Sequence, residues 1–150
     1  MNVTALYDAV VTHAETLGQF EQVNTHEPKN APGRGLSAAI WVDHIGPEPG
    51  GSGLATTNVR IEFNIRIYSN MIAEPQDAID PEILTAVDVL LNLYTGDFTL
   101  GGTVQSVDLL GKGGNPLQAQ AGYISQDNQM MRVMTITLPV LVNDAWTQPA

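Results

Sequence analysis

The sequence predicts an α+β fold: a mostly antiparallel sheet with two amphipathic helices packed on one of its faces, in the order αβββαβββ, with a long β-hairpin arm. Three observations predict it. From Thr57 to Ile67 the apolar residues Val59, Ile61, Phe63, Ile65 and Ile67 alternate with Asn58, Arg60, Glu62, Asn64 and Arg66. This is the period-two signature of a strand with one face on a core and one facing solvent or a partner. Two other segments repeat their apolar residues at helical spacing. The stretches joining the strands in both halves have hairpin lengths and are rich in Gly and Pro. At 150 residues the chain supplies one hydrophobic core, so 1–150 reads as a single domain, with a flexible C-terminal end from about 144 to 150.

The first helix is predicted over 3–17, where Val3, Leu6, Tyr7, Val10, Val11, Ala14 and Leu17 share one arc and Thr4, Asp8, Thr12 and Glu15 lie opposite. Gly18 stands where a left-handed cap is wanted, with Phe20 two residues on. Strands follow over 20–26 and 36–45, separated by EPKNAPGRG, and the turn-rich GPEPGGSG at 46–53 leads into the alternating strand. The second helix runs from 83 to 94, with Asp80 as N-cap, Pro81 at the first helical position, Gly96 as C-cap and Phe98 again two residues on. Strands over 103–110, 121–126 and 130 to about 142 complete the order, the loop GKGGNPLQA lying between the first two of these. Pro139 has no N–H for a ladder, so the last strand needs a bulge, an edge or a break there. Eleven extended residues reach roughly 35 Å, against a radius of gyration of about 15 Å for a domain of this size. The long strands therefore cross the whole domain or project from it.

The second helix is too apolar for one buried face. Projected at helical spacing, 82–94 leaves only Thr85, Asp88 and Asn92 as a narrow polar strip, and Val89 and Leu93 extend the apolar surface beyond the core side. Such a helix needs cover on two sides. Either a long loop, such as 111–119 or 68–79, lies across it, or its second side is buried in a subunit interface.

Composition narrows the function classes. Six Lys and Arg against sixteen Asp and Glu give a net charge of −10, which argues against gripping nucleic acid or anionic lipid through basic surface. The chain has no cysteine, which removes disulfides, thiolate metal sites and a cysteine nucleophile. No apolar run approaches a membrane span or a signal peptide, so the chain reads as soluble and not secreted. Asn, Gln, Ser and Thr number 37 against 22 charged residues. Neutral polar groups lose less on desolvation than ions do, so such a surface suits extensive contact with other proteins.

Catalytic signatures are missing. His26-Glu27 opens like a zincin helix, but Asn30 holds the place of the second histidine and Pro28 breaks the helix. Ser52 in GGSGL lacks the second glycine of a nucleophile elbow. Gly111-Lys112-Gly113-Gly114 lacks the upstream glycine and the hydroxyl residue of a phosphate loop and reads as a mobile loop. His13 reads as a boundary packing residue of the first helix. Glu74, Asp77, Asp80 and Glu82 lack the spacing of a calcium loop and read as carboxylates meeting a helix N-terminus. The expectation is no enzyme, no cofactor and no metal.

Between Arg66 and Lys112 there is no cation, while Glu74, Asp77, Asp80, Glu82, Asp88, Asp97 and Asp108 contribute seven negative charges. The segment reads as a solvated acidic face or as the wall of a channel from which a passing duplex is repelled.

The segments ALYDAVVTHAETLG, HEPKNAPGRGLSAAIWVDHIGP, TTNVRIEFNIRIYSN, IAEPQDAIDPEILTAVDVLL and MMRVMTITLPVLVND, in that order, together resemble the tail terminator proteins of long-tailed, siphovirus-type bacteriophages. The resemblance covers most of the chain, through structural rather than catalytic motifs. It implies a small α+β virion protein that forms a homohexameric ring, caps the tail tube, ends tube polymerisation and joins the tail to the head completion proteins. The implied partners are further copies of the chain, the tail tube protein and the head completion protein, with DNA passing through without specific binding and no membrane. The implied location is the head–tail junction of the virion, after synthesis in the host cytoplasm.

Within that resemblance the subunit interface is assigned to Val89 and Leu93 on the second helix and to Arg60, Glu62 and Arg66 on the outward face of the long strand. Docking to tube or head is assigned to Lys29, Arg34, Pro47, Glu48 and Lys112, in the loops 27–35, 46–53 and 111–118. The acidic lumen is assigned to Glu74, Asp77, Asp88 and Asp97. Another head–tail connector or a tail tube subunit is the nearest alternative; tube subunits polymerise into open stacks, whereas a terminator stops at one ring. A carbohydrate or other small-ligand module needs exposed aromatics, and 2 Trp, 4 Tyr and 3 Phe, several of them on core faces, leave few to spare.

Overall fold

The alternating segment forms the middle of a sheet. The computed structural model describes residues 2–16, 22–24, 36–48, 56–70, 79–97, 99–126 and 129–147. Its elements are α1 (Val3–Thr16), β1 (Gln22–Asn24), β2 (Leu36–Pro47), β3 (Thr56–Asn70), α2 (Ile79–Gly96), β4 (Ser106–Val107), β5 (Gln118–Gln126) and β6 (Gln129–Thr147), in the predicted order αβββαβββ. β3 pairs antiparallel with β2 on one side and β6 on the other. The far edge of β6 is shared by β4, opposite Val140 and Leu141, and by β5, opposite Gln129 to Thr137. Among the described residues the parallel pairing is confined to β1 and β2, over three residues.

Val59, Ile61, Phe63, Ile65 and Ile67 of β3 lie in one buried cluster with Leu6, Val10 and Ala14 of α1 and with Ile83, Ala86, Leu90 and Tyr94 of α2. Burying each large aliphatic side chain there stabilises the fold by roughly 1.5–3 kcal/mol. Tyr7 meets Phe63 edge-on at 5.6 Å between ring centroids, and its hydroxyl donates to the Ile40 carbonyl, which ties α1 to β2. The Tyr94 hydroxyl donates to the Val10 carbonyl at 3.0 Å and ties α2 to α1; burial pushes this phenol well above its ordinary range. α1 begins where the Asn2 Oδ1 accepts the Ala5 N–H at 3.0 Å, an N-cap that satisfies one of the four unpaired first-turn donors.

α2 departs from the predicted ends. It starts at Ile79, so Asp80 is not its N-cap, and Asp80 and Pro81 both lie in the first turn, where a missing N–H leaves no intrahelical bond unmade. Gly96 is the last helical residue and not a left-handed cap; the positive φ angles come later, at Leu100, Gly101 and Gly102. Gly18, Phe20 and Phe98 lie outside the described residues.

The strand expected over 103–110 contracts to β4, because the chain leaves the β6 edge at Asp108. Pro139 sits at that departure. Its carbonyl accepts the Asp108 N–H at 2.9 Å, and since N and C=O of a strand residue point to the same side, its donorless nitrogen faces the gap between β4 and β5. The expected break is thus in the partner strand. β6 continues past 142 to Thr147, because Thr56 and Thr57 pair with Thr147 and Trp146. The ladder slips between Thr57 and Val59, and Asp144 takes a φ of 49° and donates its N–H to Asn58 Oδ1 at 2.8 Å.

Candidate assembly surfaces

The polar face of β3 is not simply open. Arg60 and Glu62 are buried, covered by the residues that follow β4. Arg60 Nη1 donates to Glu62 Oε1 at 2.6 Å, Nε and Nη2 donate to Asp108 Oδ2 at 3.3 and 3.2 Å, and Nη2 also donates to the Asn115 carbonyl at 2.6 Å. Asp108 closes the loop on itself, accepting the Lys112 N–H on Oδ1 and the Gly113 N–H on Oδ2, both at 3.0 Å. The glycines make this approach possible. A Cβ on Gly114 would lie 2.8 Å from Arg60 Nη1, and one on Gly113 would collide with Glu48 Oε2. Gly111 has a φ of 74°, and a Cβ there would lie 2.7 Å from the Gly114 carbonyl oxygen.

Three expectations are corrected by this arrangement. Arg60 and Glu62 do not form an outward face of the strand. The segment 111–114 is held by a buried guanidinium and a carboxylate rather than left mobile, and it lies against the sheet rather than across α2. Asp108 belongs to this cluster rather than to a solvated acidic face.

Burial alone would raise the Asp108 carboxyl. The N–H groups of Gly113 and Lys112, together with the hydrogen bonds and charge of Arg60, outweigh it and hold the carboxyl below its ordinary 3.8. A folded-state pKa below the unfolded one contributes stability that is complete above the unfolded value and is lost as pH falls through the folded value. Wild-type stability is therefore expected to fall on acidification below about pH 5, and Asp108→Asn, less stable at neutral pH, to show a flatter acid limb. Denaturant midpoints measured from pH 7 to pH 2 check this. Parallel acid limbs in the two proteins would show that the carboxylate is not coupled to folding.

The remaining site residues are spread over the molecule. Arg66 is half-buried, stacked over the Trp41 ring at 5.0 Å and donating to Thr135 Oγ1 at 3.3 Å. Val89 and Leu93 are half-buried on one flank of α2, and Leu84, on the opposite flank, is exposed. Lys112 is exposed in the latched loop, and so is Leu110, at 84%. Pro47 is exposed and Glu48 half-buried at the end of β2. Asp88 is exposed on α2. Asp97 accepts from Gly101 N–H at 3.1 Å and lies 3.0 Å from His13 Nε2, whose ring packs edge-on against Tyr94. His13 is a packing residue with a polar partner that its helix position did not indicate. Lys29, Arg34, Glu74 and Asp77 lie outside the described residues.

Among the described residues no three His, Asp or Glu side chains converge as a metal site, and no helix is long and apolar enough to cross a membrane. Sequence reasoning missed Leu84, Leu110 and Tyr123, which are apolar and exposed. Single exposed apolar residues have no periodic signature, so only the positions of the neighbouring elements reveal them.

No protein-family model matches the chain, and no curated protein matches it. Among solved structures the fold is similar to the sheath/tube terminator of an extracellular contractile injection system, PVC, determined by cryo-EM in its extended state. The similarity covers 100% of this chain and 61% of that one, at a TM-score of 0.50 and 10% sequence identity. This chain thus spans less than two thirds of the length of that terminator. At this identity the likeness is one of fold.

Proposed function

We propose that the protein is a terminator-type structural subunit of a phage tail or tail-like particle. In this reading copies of the chain close into a ring, a hexamer in the siphovirus-type case, which seats on the end of the tail tube, stops its growth and presents the opposite side to a head completion protein. The observation that carries the reading is the likeness of fold over the whole chain to a sheath/tube terminator. The low content of charged residues and the exposed apolar side chains on α2, on β5 and in the latched loop agree with a protein that works through its surfaces. No step of chemistry is assigned to it, and DNA passes a wall on which acidic residues such as Asp88 outnumber cations.

The test combines solution mass with negative-stain images and a tube-growth assay. The expected result is a closed ring at a fixed multiple of 16.1 kDa that halts elongation when added to the cognate tube protein. Open stacks of unlimited length would assign the chain to the tube itself. Solitary chains at high concentration, without effect on tube length, would overturn the reading.

A further inference from the structure

β5 is an edge strand without protection. Its sequence, QAQAGYISQ, contains neither a charged residue nor a proline, whereas the edge strands of proteins that stay apart carry lysine, proline, bulges or inward charges. Among the described residues its pairing is with β6 alone, so the outward N–H and C=O groups along nine residues await a strand. The opposite end of the sheet is open as well. β1 pairs with β2 over Ser37 to Ala39, the Ile40 carbonyl accepts from the Tyr7 hydroxyl, and among the described residues no strand pairs with the outer side of β2 from Trp41 to Pro47.

The two edges fit one another in polarity. β2, β3, β6 and β5 alternate in direction across the sheet, so β2 and β5 run opposite ways. A second copy placed in the same sense, with its β2 beside β5, meets it as an antiparallel strand and continues the sheet. The side chains agree. Val42 and Ile45, 40% and 45% exposed on β2, register with Phe63 and Ile61 and lie on the helix-bearing face. Tyr123, 57% exposed on β5, registers with Arg132 and lies on that same face. Asp43, exposed at the bulge of β2, meets no carboxylate on β5, whereas two β2 edges brought together would set Asp43 near its own copy.

We infer that the outer edge of β5 docks the outer edge of β2 of a second copy, so that antiparallel strand addition joins neighbouring subunits into one continuous sheet. This rests on the ring reading, because closing a ring takes two different patches on each subunit. Sheet edges on opposite sides of one domain are such patches.

The chain has no native cysteine, which gives a clean background for cross-linking. Val42→Cys or Ile45→Cys is combined in one chain with Ala119→Cys, Ala121→Cys or Ser125→Cys, positions on one face that sample the possible registers. Under mild oxidation at least one combination is expected to give a denaturing-gel ladder in steps of 16.1 kDa, while each single variant stays at one chain. Rings seen by mass and imaging with no ladder from any combination would overturn the strand-addition interface and leave the ring reading intact. Covalent dimers from Ala121→Cys alone would overturn it in favour of a two-fold β5–β5 pair. A wild-type chain that never exceeds 16.1 kDa would overturn the ring reading and this interface with it.

Discussion

Replacing Arg60 by methionine is expected to lower folding stability by about 3–5 kcal/mol, the cost of leaving buried charge without its partner. Arg60 is 6% exposed and serves Glu62, Asp108 and the Asn115 carbonyl at once. Methionine keeps much of the length of the side chain and removes every donor. Glu62 loses the guanidinium at 2.6 Å; Asp108 keeps only the Lys112 and Gly113 N–H groups. Arg60→Lys is expected to recover little of the loss, because one ammonium cannot reproduce a planar fork that points at three acceptors. Neutralising both carboxylates alongside, as Arg60→Met with Glu62→Leu and Asp108→Asn, is expected to recover most of it, since the desolvation of the ions then no longer opposes folding. Denaturant unfolding reads the stabilities. Hydrogen exchange at the amides of Lys112 and Gly113 reads the latch: faster exchange than in the wild type is expected in Arg60→Met. An unchanged midpoint with unchanged exchange would mean that the loop is not held through Arg60.

The alternation over Thr57 to Ile67 was enough to give β3 as a strand with one face on the core, because each apolar residue reports its own side of the strand, whereas its place between β2 and β6 was not legible. What covers the polar side was not legible, since Arg60 and Glu62 read locally as solvated charges and their partner Asp108 lies 48 residues away from Arg60. A hint was present in Gly113-Gly114, where the lack of side chains permits contact with the guanidinium. β5 was foreseen only from Ala121 onward: Gln118, Ala119 and Gln120 have little strand preference of their own and are extended because β6 offers Thr135 to Thr137 as a template. The end of β6 was misplaced for a related reason. Asn143-Asp144 looks like a turn, but the positive φ of Asp144 and its bond to Asn58 absorb the irregularity and let pairing resume at Trp146. Of the assembly residues, the apolar excess of α2 was readable from spacing alone, yet its exposed member, Leu84, was not.

Val89→Asp is expected to abolish ring formation while leaving a folded monomer. Val89 and Leu93 lie on one flank of α2, and the core side of the helix is made by Ile83, Ala86, Leu90 and Tyr94, so a carboxylate at 89 is introduced beside the core rather than into it. A half-buried position loses far less on such a change than a core one, roughly 1–2 kcal/mol against several, and the monomer keeps its cooperative unfolding. In a ring that buries this flank the same carboxylate would be stripped of water, a cost several times larger that falls on association alone. Leu84→Asp is the matching control, because Leu84 occupies the opposite flank and is already 53% exposed. Rings lost with Val89→Asp and kept with Leu84→Asp add the Val89–Leu93 flank to the contact between neighbours, alongside the sheet edges. The reverse outcome adds the other side of the helix instead, and rings from both variants would take α2 out of the interface altogether.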